Sequence, residues 1–414
     1  MSTVRVGLLG LGTVGTGVVK TIGIQEAKLT KRLGKKVEIV KVLVQNRYKE
    51  RSVNIHPDLL TTDFEDVLKA NVDVIVEVMG GVEPTFDYLH KAIHDGCHVV
   101  TANKELLAKR GEELVQAANR QGVHFFYEAS VAGGIPIISV LRNFLRTNDV
   151  TQIQGILNGT TNYILTEMEK RGCSYEEVLK EAQALGYAEA DPTSDVEGYD
   201  SLYKLLILSQ LVFGRAPQPV DVVREGISNI ALEDLCLARE LGYRFKLVAQ
   251  AKDESGKLTI SVRPTLLPLD HQLAQIQDAF NAVQITGNIV GDLLFTGRGA
   301  GEFPTASAVV EDLAYLLSQP FYAQSEWSRG VEDKVPDEGS SACFVSYPIE
   351  EKAIIQQLIV QEGITVYDRW ELETVREAII LGSHPKKLFG SLTVYPIQLS
   401  EETKKKLDFA ISAS

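Results

Sequence analysis

The sequence predicts an α/β protein: an N-terminal doubly wound parallel sheet, an α+β domain after it, and a small α+β module at the C-terminus. Three observations carry this. Over residues 1–130, short apolar, β-branched runs alternate with helix-length amphipathic stretches, the pattern of parallel strands joined by covering helices. Beyond them the rhythm changes to a run of helices followed by paired strand candidates. From Ser318 periodicity gives way to a stretch rich in Pro, Gly, Ser and charge, ending at Gly339-Ser340-Ser341, the composition of a linker. The expected divisions are therefore 1–130, 131–320, a linker at 321–341, and 342–414.

Composition fits this reading. A chain of 414 residues, 44% hydrophobic and 23% charged, can bury several cores and is neither disordered nor fibrous. With 42 Lys+Arg against 55 Asp+Glu, the net charge of -13 argues against a partner bound mainly through its phosphates, so nucleic acid is not expected. No run approaches the roughly 18 apolar residues of a membrane helix, and the N-terminus runs straight into a strand without a signal peptide's pattern. A cytoplasmic protein without a membrane partner is expected. Cys97, Cys173, Cys236 and Cys343 are scattered without CxxC pairs, which speaks against a metal cage or disulfide framework and for small core fillers.

In order, the strand candidates of the first part are Val4–Leu9, Glu38–Val44, Val72–Val78, His98–Ala102 and Val123–Phe126. A strand at Ile153–Leu157 follows, then helices at Thr161–Arg171, Tyr175–Leu185 and Ser201–Phe213. Ser174 and Glu177 have the spacing of a capping box for the second of these. Strands are expected at Phe245–Ala251, Lys257–Pro264, Ala282–Thr286 and Ile289–Phe295, and an apolar helix at Ser307–Leu317 is expected to return and pack between the first two domains. In the last module a strand at Cys343–Tyr347, a helix at Glu350–Glu362 ended by Gly363, a strand at Ile364–Tyr367, a helix at Glu371–Leu381 and a strand at Ser391–Tyr395 are expected.

Gly10-Leu11-Gly12-Thr13-Val14-Gly15 follows the first strand and opens a helix. In a Rossmann-type unit such glycines permit the tight turn, the close approach of a pyrophosphate to backbone N–H groups, and helix-on-strand packing. A dinucleotide site at Gly10, Gly12, Thr13, Val14 and Gly15 follows. After the second strand the sequence reads Gln45-Asn46-Arg47-Tyr48-Lys49, with no carboxylate for a ribose 2′-OH and two cations for a 2′-phosphate. Asn46 and Arg47 thus favour NADP(H), with NAD(H) still admitted, although a solvated basic loop has the same composition.

Thr101-Ala102-Asn103-Lys104 ends the fourth strand, at the edge where a doubly wound sheet binds ligands. Lys104 is placed there either to meet cofactor and substrate or simply to begin the next helix. Further on, Glu189, Asp191, Asp195, Glu197 and Asp200 precede an apolar helix whose first turns carry Asp200 and Lys204 at i,i+4 spacing. Exposed, such a pair contributes only about 0.3–0.5 kcal/mol. Shielded from water, the carboxylate favours the ammonium and makes it a positioned proton donor, and the other acids could hold a cationic amino group.

The run Ala182, Gly186, Asp191-Pro192, Asp195, Gly198, Asp200 and Lys204 resembles the motif of the homoserine dehydrogenase family. So do Gly10–Gly17, Val100–Lys104, Glu128–Pro136 and Asn158-Gly159-Thr160-Thr161-Asn162-Tyr163, in the same order over about residues 1–320. The resemblance implies interconversion of L-aspartate 4-semialdehyde and L-homoserine by hydride transfer with NAD(P)H. It implies Lys204 as proton donor, Lys104 as the second active-site lysine, and Glu189 and Asp200 as binders of the amino acid. Gly159, Thr160, Tyr187 and Asp195 belong with the substrate set; Thr101, Lys104, Gly186 and Gly301 join the cofactor set. Sodium is implied at the backbone carbonyls of Glu128, Val131, Gly133 and Ile135, a donor class that suits a hard cation, while a glycine-rich hinge is the plainer reading of that loop. A homodimer or homotetramer is implied as well.

Family members often end in an ACT domain, so the C-terminal module is expected to be ACT-like. Its first strand is followed by Ser346-Tyr347-Pro348-Ile349-Glu350-Glu351 in place of an aspartate-x-x-glycine effector loop, which speaks against threonine feedback and puts a packing or dimerisation role at least level with it. Two rivals remain. An aspartate-semialdehyde dehydrogenase needs an activated thiolate, and no cysteine here has that context. A catalytically silent NADP-binding regulator would be favoured by loss of either lysine. Zinc at His90, His94 and His98 would need one continuous helix, which Asp95-Gly96 interrupts. The basic cluster Lys28–Lys36 lacks interleaved aromatics and reads as solvated surface.

Overall fold

The computed structural model describes residues 2–323, 342–361, 364–372, 376–381 and 393–400. Most of the expected linker, together with Gly363 and Ser391, falls outside them. Contacts divide the chain into two compact units, residues 1–153, 203–221 and 285–332 in the first, and 154–202, 222–284 and 333–414 in the second. Neither is a single stretch of chain.

The first unit is built on β1 (Thr3–Leu9), β2 (Lys36–Leu43), β3 (Leu60–Thr61), β4 (Val74–Glu77), β5 (His98–Thr101) and β6 (Phe125–Phe126), ordered β3-β2-β1-β4-β5-β6. All neighbours are parallel, so every strand delivers its carboxyl end to one edge. That order reverses direction between β1 and β4, the switch point at which such sheets bind dinucleotides. Strands buried on both faces need continuous apolar runs, and Val6–Leu9 of β1 and Val74–Val76 of β4 supply them. The helix Glu302–Ser318 packs on the helix Thr13–Ile24 and adds Ala306, Val309, Val310 and Leu313 to this core. The two helices approach so closely that a Cβ on Gly17 would lie 2.5 Å from the Glu302 carbonyl oxygen and 2.9 Å from the Ala306 Cβ.

A second sheet runs β12-β11-β7-β9-β10-β8, from β7 (Val150–Ile156), β8 (Val223–Arg224), β9 (Tyr243–Glu254), β10 (Lys257–Pro268), β11 (Phe280–Gly287) and β12 (Gly291–Arg298). In the second unit β9 and β10 form a long antiparallel hairpin, and the helices Gly159–Arg171 and Tyr175–Ala184 follow β7. The second of these opens with the expected capping box, Ser174 and Glu177 each bonding the other's backbone N–H.

The C-terminal module carries a four-stranded antiparallel sheet, β14-β15-β13-β16, of β13 (Cys343–Pro348), β14 (Val366–Leu372), β15 (Arg376–Leu381) and β16 (Thr393–Pro396). The helix Lys352–Gln361 covers it with Ile355 and Ile359. The helix expected at Glu371–Leu381 is instead the end of β14 and the whole of β15. Helix-favouring residues are overridden there because β15 lies between β13 and β14 and finds backbone partners on both sides. Of the four cysteines, Cys97 and Cys343 are core fillers as expected, whereas Cys173 is half-buried and Cys236 exposed. No described helix is long and apolar enough to cross a membrane.

Candidate active site

In the first unit, β1 ends at Leu9 and the glycine loop leads into the helix Thr13–Ile24, whose N-cap Gly12 offers no side-chain cap and whose first turn holds no acid. The first backbone N–H groups of a helix carry partial positive charge and suit an anion. A Cβ on Gly12 would touch no protein atom within 4 Å, so packing does not demand glycine there, while the approach of a pyrophosphate does. Gly15 is needed for the turn itself, since its Cβ would lie 2.3 Å from the Gly10 carbonyl oxygen. The residues fit a dinucleotide. Thr13 and Val14 begin the helix, and Gly301 caps the neighbouring helix, whose Glu302 carboxylate pairs with the Lys20 ammonium at 2.7 Å.

Asn46 and Arg47 lie in the exposed loop after β2. The Asn46 side chain accepts from the Tyr48 N–H at 2.8 Å, and the Arg51 guanidinium, which the sequence reading passed over, donates to the carbonyls of Asn46, Arg47 and Lys49. That loop is held by its own cation.

Thr101 ends β5, Asn103 caps the helix Lys104–Gln121, and half-buried Lys104 is its first residue. Leu107, Ala108 and Gly111 of this helix share a small cavity with Leu206, Ile207 and Gln210 of the helix Tyr199–Phe213. The helices bearing the two candidate lysines are therefore neighbours. Asp200 and Lys204 sit one turn apart on the latter, 2% and 7% exposed. The solvated-pair reading fails, because both charges are withdrawn from water.

The second unit gathers the carboxylates. Asn158 caps the helix Gly159–Arg171, its Oδ1 accepting from the Thr161 N–H at 2.8 Å. Its Nδ2 donates to Asp195 Oδ1 at 2.7 Å and to Asp200 Oδ2 at 2.9 Å. One amide thus brings two candidate acids together, a role the sequence reading did not give it. The signal was present as an Asn three residues before Thr161, the spacing of an N-cap. The Thr160 hydroxyl donates to the Tyr187 carbonyl at 2.7 Å, and the Tyr187 ring lies 5.0 Å from that of Tyr163. Gly186 takes a positive φ of 76° in the loop before exposed Glu189, whose carbonyl accepts from Gln183 at 3.0 Å.

The loop Glu128–Pro136 belongs to the first unit and is buried at Glu128, Val131, Gly133 and Ile135. Positive φ at Ala132 and Gly133 turns the chain back on itself. The Glu128 carboxylate accepts from the N–H groups of Ile138 and Ser139 at 2.8 and 2.7 Å, and its own N–H donates to Asp312 at 2.7 Å. Burial pushes both carboxyls up, Asp312 further because Glu128 is beside it. The Glu128 carbonyl accepts from the Val131 N–H at 3.3 Å. Elsewhere, helix Thr85–His94 stops before His98, which enters β5 and lies 5.2 Å from the His124 ring at a 42° tilt. Burial pushes the thiols of Cys97 and Cys343 up to about 11 and about 12, the opposite of an activated nucleophile.

A 3-2-1-4-5-6 parallel sheet with a glycine loop at its switch point, and a buried lysine one turn from a carboxylate, define a nicotinamide-dependent oxidoreductase. Comparison with known proteins narrows this. The family model "Homoserine dehydrogenase, NAD binding domain" matches residues 10–128, and the model "Homoserine dehydrogenase" matches residues 136–314. The chain is 49% identical over 318 residues to the homoserine dehydrogenase of Bacillus subtilis, covering 77% of this chain and 73% of that protein. A crystal structure of a homoserine dehydrogenase from Thiobacillus denitrificans superimposes with a TM-score of 0.87 at 37% identity, covering 96% of this chain and 99% of that one. A hyperthermophilic archaeal homoserine dehydrogenase solved in complex with NADPH matches with a TM-score of 0.64 at 26% identity, over 77% of this chain and all of that one. The chain belongs to the homoserine dehydrogenase family.

Proposed function

We propose that this protein interconverts L-aspartate 4-semialdehyde and L-homoserine, with Lys204 as the proton donor. The observation that carries the reading is the burial of Asp200 and Lys204 on successive turns of one helix, with Asp200 gripped by Asn158. The bound nicotinamide supplies the hydride. Delivery of hydride to the aldehyde carbon leaves negative charge on oxygen, which an ammonium in hydrogen-bond reach relieves as it develops. Asp200 keeps Lys204 protonated, and Lys104 provides a second cation toward the nicotinamide. Glu189, Asp195 and Asp200 hold the substrate ammonium, and Gly159, Thr160 and Tyr187 line the remainder of its pocket.

Gly10, Gly12, Thr13, Val14 and Gly15 take the pyrophosphate, with Thr101, Gly186 and Gly301 touching the nucleotide, and Asn46 with Arg47 favours a 2′-phosphate, hence NADP(H) over NAD(H). Sodium binds through the carbonyls of Glu128, Val131, Gly133 and Ile135. The C-terminal module is ACT-like in kind, with a packing or pairing role in a cytoplasmic homodimer or homotetramer. Initial rates with homoserine and each nucleotide test the reading. The Lys204→Ala variant should lose about 10²–10⁴-fold in kcat with little change in nucleotide affinity. No turnover by the unsubstituted protein would favour the silent regulator.

A further inference from the structure

Glu77, the last residue of β4, is 0% exposed and stands at the carboxyl edge of the parallel sheet. A carboxylate buried this completely is tolerated only where donors surround it. Its Oε1 accepts from the N–H groups of Met79 and Gly80 at 2.7 and 3.2 Å. Its Oε2 accepts from the Thr101 hydroxyl at 2.5 Å. With that proton committed, the Thr101 oxygen accepts from the Asn103 N–H at 3.0 Å. Asn103 then caps the helix that begins at Lys104, accepting from the Leu106 N–H at 3.1 Å, and donates to the Gly81 carbonyl at 2.7 Å. The bonds close a ring through the end of β4, the turn after it, the end of β5 and the first turn of the Lys104 helix. Burial raises the Glu77 carboxyl, while its bonds to Thr101, Met79 and Gly80 pull the other way.

We propose that Glu77 is a positioning residue for the reaction: through Thr101 and Asn103 it fixes the first turn of the helix bearing Lys104, and through Met79 and Gly80 it holds the adjoining turn at the nucleotide edge of the sheet. The proposal rests on the reading of the reaction given above. It assigns a role to a carboxylate that touches neither substrate nor cofactor. The two backbone N–H groups facing Oε1 can only donate, so that oxygen must accept, and the Thr101 hydroxyl completes the set at Oε2. Glutamine would aim an N–H either at the N–H groups of Met79 and Gly80 or at Thr101, turning that hydroxyl's proton away.

The test compares Glu77→Gln, Thr101→Val and the double variant, in the full chain, by amide exchange, nucleotide affinity and steady-state rates. Glu77→Gln should lose exchange protection at 79–80 and 103–107, and Thr101→Val, which leaves the bonds from Met79 and Gly80 to Glu77 in place, at 103–107, while the other strands of the first sheet keep theirs. Their kcat should fall about ten- to a hundredfold, with a smaller change in nucleotide affinity. In the double variant the loss should not exceed that of the worse single variant, because both break one relay. Unchanged protection at 103–107, an unchanged kcat, or losses that multiply would overturn the proposal. Should Glu77→Gln fail to fold, Thr101→Val, close to isosteric, is read in the nucleotide-free protein by exchange at 103–107, which loss of a nucleotide contact at Thr101 would not move. Absence of turnover in the unsubstituted protein would overturn the reaction assignment alone, since the exchange pattern would still decide whether Glu77 holds the Lys104 turn.

Discussion

Asp200 and Lys204 stand four residues apart in a stretch that reads equally well as a solvated ion pair, and burial on one helix is what turns the spacing into chemistry. Glu77 and Asn158 went unassigned in the sequence because their partners, Thr101, Asp195 and Asp200, are 24 to 42 residues distant. Lys246 is another such case. It is buried on β9, where its Nζ donates to Asn162 Oδ1 at 2.8 Å and to the Ile276 carbonyl. Burial first, then the cations of Arg244 and Lys170 against the acids Glu169 and Asp278, brings its ammonium down to about 7. The unfolded chain holds that proton up to about pH 10.4, so between pH 7 and that value the unfolded state binds more protons. Stability from this group is therefore fully present above about pH 10.4 and is lost as pH falls through 7. Denaturant unfolding of Lys246→Met beside the parent should show the parent gaining relative stability over this window, approaching about 1.4 kcal/mol per pH unit. A difference that stays flat from pH 7 to 10 would refute it.

At the scale of elements, what is legible locally is an unbroken apolar run or a cap. The glycine loop and the Ser174–Glu177 box depend on neighbours within a few residues, and the strands of the first sheet, although their partners are distant, carry continuous apolar, β-branched runs. β15 was misread because its partners come from β13 and β14, and pairing on both edges overrides propensity. Packing between helices gives a paired prediction. Gly17→Ala should destabilise the protein by about 1–3 kcal/mol, because the new methyl meets Glu302 backbone and Ala306. Gly23→Ala in the same helix, where a Cβ meets nothing within 4 Å, should stabilise it by about 0.5–1 kcal/mol. Denaturation midpoints of the two variants check this, and equal shifts in both would exclude the close approach.

At the scale of the whole chain, the C-terminal module is tied to the rest of the second unit by polar contacts as well as by apolar surface. Asp234, on the helix Leu232–Glu240, pairs with Arg376 of β15 at 3.3 Å and accepts from the Tyr395 hydroxyl of β16 at 3.4 Å. Beside them the rings of Phe344 and Tyr395 pack edge-on against Phe245 of β9, and Leu266 of β10 bridges to Ile397. Removing Asp234 takes the acceptor from both the Arg376 guanidinium, 22% exposed, and the buried Tyr395 hydroxyl. Asp234→Ala should therefore lose amide-exchange protection in β13, β15 and β16 while β1, β4 and β5 remain protected. Protection lost equally in both sets would show that Asp234 supports the whole fold and not the module's attachment.

By itself the sequence determined the parallel sheet, the dinucleotide loop and the lysine–carboxylate spacing, because hydrophobic period, glycine geometry and helical pitch act over a few residues and are written into neighbouring letters. Only the tertiary structure decided that Asp200 and Lys204 are buried, that Asn158 and Glu77 bind the acids and strand ends together, and that 376–381 is a strand. Those outcomes depend on which distant groups are brought within about 3 Å, and on how much water they exclude, quantities that no local pattern records.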